Sequence, residues 1–247
     1  MKEVLVVITY IAGESQGHEL AIAVAGWRRH FKHPHKIVVI GDKPPRSVTV
    51  DKWLYIDRVP EKDGEYRPHL DICTKLEFAC FMFGDKYPGF IWASDDCFPI
   101  NDFTLEDVMT PKFQDDEMPS KGQNHFNPWW RNLVKTRKLC EEEGFGVVNW
   151  ATHLPLYFRV SELINTIWEY HLETKSFVIE NIIYNRFKQE GMPIKLHEGD
   201  TWKHTVCYTP LDRQGLYEAF ARVKFVCASV NGWSYALEEE LKNHFEL

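Results

Sequence analysis

The chain has no long apolar run. No stretch of about 18 consecutive apolar residues occurs in its 247 residues, so no membrane-spanning helix is expected. Dense clusters of lysine and arginine are missing as well. The formal net charge is −7, and a nucleic-acid partner, which calls for a basic face, is not expected. The six cysteines, at 73, 80, 97, 140, 207 and 227, form no C-x-x-C pair and no zinc-like spacing. Scattered among apolar neighbours, they read as reduced thiols of a cytosolic protein. The apolar start, Val4-Leu5-Val6-Val7-Ile8, is short for a secretory leader, and no small-residue cleavage site follows. A cytoplasmic location is the expectation. Internal repeats and low-complexity tracts are also lacking.

What remains is an ordinary globular composition, 44% hydrophobic and 26% charged, long enough for a full core. Aromatics are plentiful at 14%, with nine Trp. Flat rings stack on sugars and bases, although an aromatic-rich core is the competing explanation.

The first hundred residues alternate. Val4 to Ile11 is a β-branched run of buried-strand type. His18 to Phe31 carries Leu20, Val24, Trp27 and Phe31 at helical spacing. Lys36 to Asp42 and Trp53 to Ile56 read as strands. A helix from about Pro68 to Phe83 follows, then a strand over Gly89 to Ala93. The order β-α-β-β-α-β predicts an α/β fold with a mostly parallel sheet flanked by helices. Beyond Thr104 the pattern is mixed α+β. Helices are expected over Trp129–Glu143, Val160–Leu172, Phe177–Phe187 and Trp233–Phe245. Strands are expected near Gly146–Trp150, Lys195–Leu196, Thr205–Tyr208 and Phe225–Val230. No linker is evident, so a single domain is expected, with a nucleotide-binding half over 1–100 and an acceptor-side half over 101–247.

One stretch carries chemistry: Phe90-Ile91-Trp92-Ala93-Ser94-Asp95-Asp96-Cys97-Phe98-Pro99. An apolar strand ends in two adjacent carboxylates. Ligands of open α/β sheets bind at that edge. Neighbouring carboxylates repel unless a cation lies between them, so a metal–phosphate site is expected there. Adjacent residues of a strand point opposite ways, and the two acids converge only if the chain turns. Pro99 supports a turn; a loop of solvated acids is the rival.

This layout resembles the GT-A glycosyltransferases, whose strand-tip acids form a DxD motif that holds a divalent metal against a nucleotide-sugar diphosphate. The resemblance implies a GT-A-like, Rossmann-like fold with an acceptor-side lobe. It implies Mn²⁺ or Mg²⁺ as cofactor and a UDP- or GDP-sugar as donor, with transfer to an acceptor hydroxyl. Ser94 replaces the first acid of the motif. Asp96 matches the metal-binding position, and Asp95 is left to hold sugar hydroxyls. A narrower likeness joins Ser94-Asp95-Asp96-Cys97-Phe98 and Thr152-His153-Leu154-Pro155-Leu156-Tyr157-Phe158 to the Stealth family of sugar-phosphate transferases. His18-Glu19-Leu20, Ile37 to Pro44 and Leu237 to Phe245 are also similar. That likeness implies an active-site role for His153 and, as an alternative reaction, transfer of sugar-1-phosphate. A non-catalytic sugar- or nucleotide-binding protein is the further alternative.

Other candidates follow. Thr9, Tyr10 and the loop to Gly17 lie where GT-A enzymes hold base and ribose. Asp42, ending the second strand, is placed to accept from a base N–H. Arg67, Asp71 and Lys75, spaced i, i+4, i+8, share one helix face. Cations there suit a diphosphate, with a solvated salt-bridged face as the rival. His153 suits metal ligation, phosphate donation or base catalysis, with a packed histidine as the rival. Glu180 is a candidate general base for an inverting transfer, or merely an exposed helical acid. Trp129, Trp130 and Trp150 are candidates for stacking on an acceptor sugar, against core packing. Glu198, Asp200, Lys203 and His204 belong to a late polar loop, and the GT-A resemblance implies that Lys203 or His204 closes on the diphosphate.

Overall fold

The computed structural model describes residues 2–43, 48–121, 127–188, 191–196 and 212–247, and the backbone alone of 202–204. Elements run in the order β1 (Val4–Tyr10), α1 (Glu19–His30), β2 (His35–Gly41), β3 (Lys52–Tyr55), α2 (Arg67–Phe83), β4 (Gly89–Ser94), β5 (Cys97–Pro99), α3 (Leu105–Met109) and β6 (Lys112–Phe113). Then come α4 (Pro128–Glu142), β7 (Leu156–Arg159), α5 (Val160–Tyr170), α6 (Ile179–Arg186), β8 (Ile194–Lys195), β9 (Trp202–His204), α7 (Arg213–Phe220), β10 (Phe225–Ala228) and α8 (Tyr235–Phe245).

The central sheet has five strands in the order β3-β2-β1-β4-β7. The first four are parallel, and β7 runs antiparallel to β4, with Phe90 opposite Phe158. Both faces are covered, which is why β1 reads as a continuous apolar run rather than an alternating one. Leu5 and Val7 face a core built from Leu76 and Ala79 of α2, Leu163 and Ile167 of α5, and Ile182 of α6. Val6 and Ile8 face the opposite core, with Leu20, Val24 and Trp27 of α1. A mixed α/β fold with a mostly parallel sheet flanked by helices is the result.

A second sheet, β5-β10-β9, extends the structure beyond the tip of β4. Helix α1 lies close against it. A Cβ on Gly26 would stand 2.4 Å from the Pro99 carbonyl oxygen, so only glycine allows this approach.

Several elements differ from the sequence reading. The segment 146–150 forms no strand; only an isolated bridge joins Asp115 and Asn149. Its backbone groups are shared between side chains and the 114–118 backbone: Asn185 Oδ1 accepts from Val148 N at 3.0 Å and Asn181 Oδ1 from Trp150 N at 2.6 Å, while Met118 N donates to the Val147 carbonyl and Gln114 N to the Asn149 carbonyl, each at 2.7 Å. Strands β5 and β7 were not expected. At three and four residues they carry too little pattern, and pairing with distant strands creates them. Helix α3 carries a readable signal, the Thr104/Asp107 capping box. Helix α7 is capped by Asp212, whose side chain accepts from Gly215 N at 2.8 Å. The strand expected at Thr205–Tyr208 lies outside the described residues.

Candidate functional site

Strands β1 and β4 end side by side, with Thr9 in register with Ser94. The chain then turns at Asp95-Asp96 before β5, which brings both carboxylates to the same sheet edge. Around this point the molecule opens a cleft with two adjoining lobes of about 330 and 240 Å³. Ser94 and Asp96 line both lobes, as do Tyr66, Pro68 and Ile72 from the start of α2.

The larger lobe is lined mostly by residues with polar side chains. Thr9, Tyr10, Ser15, Glu19, Asp95 and Ala228 are among the residues lining it. Asp95 is half-buried, and burial together with the neighbouring Asp96 charge pushes its carboxyl up to about 7. Glu19, at the first position of α1, is 4% exposed. Burial is the main reason its carboxyl rises to about 8; a backbone bond from Gln16 opposes this, and the charges of Asp95 and Asp96 add to it. Its Oε2 accepts from Gln16 N at 2.6 Å and from Ser15 Oγ at 3.2 Å. Ser94 Oγ donates to Asp96 Oδ1 across the turn at 2.5 Å. The lobe therefore gathers carboxyl groups that resist ionisation, and a cation there would favour their charged forms.

The smaller lobe is aromatic. Tyr66, Trp92, Trp129 and Phe177 line it with His69, His153, Leu154, Leu156, Ile179 and Glu180. Helix α4 begins at Pro128, and its Asn127 cap accepts from Trp129 N at 2.9 Å, which sets Trp129 at the lobe wall. The Trp129 ring lies 5.4 Å from His153 and 5.0 Å from His69. Burial drives His69 down to about 3, so it is neutral at any physiological pH. His153 holds a left-handed backbone, φ 60°, and is exposed. Glu180 is 7% exposed at the second position of α6.

The sequence candidates separate on this geometry. Thr9, Tyr10, Asp95 and Asp96 meet in the polar lobe, and His153, Glu180 and Trp129 in the aromatic lobe. Asp42 lines neither; its Oδ1 accepts from Ala12 N at 2.8 Å and Lys43 N at 2.9 Å, bracing the loop after β1. Arg67 sits at the rim of an adjoining groove and pairs with Glu61 at 2.9 Å and Glu14 at 3.6 Å. Lys75 is not part of a solvated face. It is fully buried, paired with buried Asp71, and donates to the Tyr10 carbonyl at 2.8 Å. Lys75 therefore fixes the end of β1 from behind instead of reaching into the cleft. Trp150 is core, packed on Phe113 and Tyr184. Trp130 is half-buried, and its Nε1 donates to the Lys121 carbonyl. Glu198 and Asp200, and the side chains of Lys203 and His204, lie outside the described residues.

Glu19, Tyr66, His69 and Trp92 escaped the sequence reading as site residues. An acid in the first turn of a helix, rings at a helix start and a tryptophan inside a strand are commonplace, and only tertiary contact singles these out.

Among the described residues, no three His, Cys, Asp or Glu side chains converge as a closed metal site. Mg²⁺ and Mn²⁺ do not need one; such hard ions bind through one or two carboxylates, substrate phosphates and water. Asp96, with Asp95 beside it, fits that open arrangement. The chain matches no known family model and no curated protein.

Proposed function

We propose that the protein is a GT-A-type glycosyltransferase that moves a sugar from a UDP- or GDP-sugar to an acceptor hydroxyl. One observation carries this reading: Asp96, in the turn that ends β4, lines both a polar lobe and an aromatic lobe, with Asp95 beside it in the polar one. Two substrates placed in those lobes meet at the carboxylates.

In this reading Asp96 would hold Mn²⁺ or Mg²⁺, and the ion would supply charge neutralisation for a departing diphosphate. Asp95 accepts from donor-sugar hydroxyls. Thr9 and Tyr10 flank the nucleotide. Tyr66 and Trp129 offer ring faces to an acceptor sugar, with ring stacking giving orientation as well as affinity. Glu180, buried in the aromatic lobe, takes the acceptor proton. Arg67 steers the diphosphate from the rim.

The test is turnover with a panel of UDP- and GDP-sugars plus Mn²⁺. Asp96→Ala should lower transfer and donor hydrolysis at least about 100-fold with an unchanged melting temperature. Unchanged turnover would sink the assignment. A second reaction, transfer of sugar-1-phosphate, is favoured by His153, which lines the aromatic lobe beside Asp96. Release of UMP instead of UDP selects it. Donor binding unaffected by EDTA, without turnover on any acceptor, selects a binding protein.

A further inference from the structure

We propose that Cys97 and Cys227 form a reversible disulfide directly behind the carboxylates of the cleft, and that this bond regulates donor binding. Three observations converge. The two residues face each other on neighbouring antiparallel strands, Cys97 on β5 and Cys227 on β10. Their sulfurs are already 3.0 Å apart, and both side chains are buried. The flanking backbone bonds fix the kind of pair. Ala228 N donates to Asp96 O at 2.9 Å, and Ile100 N to Lys224 O at 2.9 Å. Bonded pairs alternate along an antiparallel ladder, so Cys97 and Cys227 occupy a position between them. Opposed Cα atoms are there only about 4.5 Å apart and side chains lie closest. That separation falls within the range a disulfide spans.

The location links the bond to the cleft. Cys97 follows Asp96, and Cys227 precedes Ala228, Ser229 and Val230, all of which line the polar lobe. Strand β5 is a three-residue edge strand, so a short local opening exposes the pair to a small oxidant. With hydrogen peroxide, one thiol sulfur attacks a peroxide oxygen. The O–O bond breaks, a sulfenic acid forms and the first water leaves with the thiol proton. The second sulfur then displaces the hydroxyl, the S–S bond forms and the second water leaves. Two electrons pass from the thiols to one peroxide. A dithiol reductant reverses the step by exchange. Closing the gap to a bonded S–S distance of about 2 Å brings the sulfurs about 1 Å nearer, a movement shared between the side-chain torsions and the strands that carry them. A displacement of that size disturbs a preorganised site.

The disulfide stands on strand geometry alone; its regulatory effect rests on reading the cleft as a nucleotide-sugar site. The test treats the full chain with hydrogen peroxide, alkylates under denaturing conditions and maps peptides by mass spectrometry. A Cys97–Cys227 cross-linked peptide, lost on dithiothreitol treatment and absent from Cys97→Ala and Cys227→Ala, is expected. Recovery of both cysteines as alkylated or as sulfonic-acid peptides overturns the disulfide. Calorimetry with UDP and Mn²⁺ should show about tenfold weaker binding after oxidation of the wild type, and no change in the Cys97→Ala variant. Equal affinity before and after oxidation overturns the regulation. If reduced protein binds no nucleotide, the donor reading and the regulation fail together, while the peptide map still decides the disulfide.

Discussion

Lys75 donates to the carbonyl oxygen of Tyr10, and this single bond, 2.8 Å long, ties the middle of α2 to the last residue of β1. The ammonium is also paired with Asp71, four residues earlier, and neither side chain reaches solvent. Asp71 in turn accepts from Val59 N at 3.0 Å, so the pair holds the loop before α2 as well. Tyr10 and Asp71 also line the polar lobe, so this bracing forms part of its wall.

Breaking the pair leaves one buried charge without its partner. Lys75→Met should cost about 3–5 kcal/mol in urea unfolding, because Asp71 then stays buried and uncompensated. Removing both charges, Lys75→Met with Asp71→Leu, should recover most of that loss. A double variant as unstable as the single one would show that the bond to Tyr10, and not the ion pair, carries the stability.

Stability should also depend on pH in a way set by the cleft acids. Asp95 and Glu19 have carboxyls raised to about 7 and about 8 in the folded chain. The unfolded chain releases those protons near pH 4, so over the interval between, the folded state binds more protons. The stabilisation is complete below about pH 4 and is lost as pH rises through about 7 and then about 8. Denaturant titrations between about pH 5 and about pH 9 should show this decline. Glu19→Gln should flatten its upper part, since the amide still accepts from Gln16 N but does not ionise. A variant with the wild-type slope would assign the decline to other groups. Mn²⁺ should oppose the decline by binding the ionised carboxylates, which ties metal affinity to the same pH range.

The aromatic lobe gives a separate expectation. Trp129 presents its ring between His69 and His153. Trp129→Ala should raise the KM for a sugar acceptor about tenfold, as expected for loss of one stacking face, with donor hydrolysis unchanged. Trp129→Phe should restore most of it. If donor hydrolysis and acceptor KM worsen together, Trp129 supports the cleft as a whole instead of one substrate.

The order of the first six elements was legible because each carries its own local pattern. Val4 to Tyr10 is mostly β-branched, and α1 repeats its apolar residues at helical spacing. The acids at the tip of β4 were legible too, since ionised side chains end an apolar strand only where it leaves the core. The split between polar and aromatic lobes was not. It depends on Tyr66, Trp92, Trp129 and Glu180, which come from separate elements and meet only through packing. Lys75 makes the same point in reverse. Its spacing from Arg67 and Asp71 suggested a shared exposed face, yet the helix buries its inner end, leaving Arg67 at the rim and Lys75 fully enclosed.

The chain by itself determined the parallel sheet, the flanking helices and the acidic strand tip. Those features follow from periodicity and from the cost of burying charge, which act over a few residues. Only the tertiary structure decided which acids face each other, that Glu19 joins them, and that Cys97 meets Cys227 across β5 and β10. Such relations join positions up to 130 residues apart in the chain. They are set by strand register and helix packing, which no local pattern encodes.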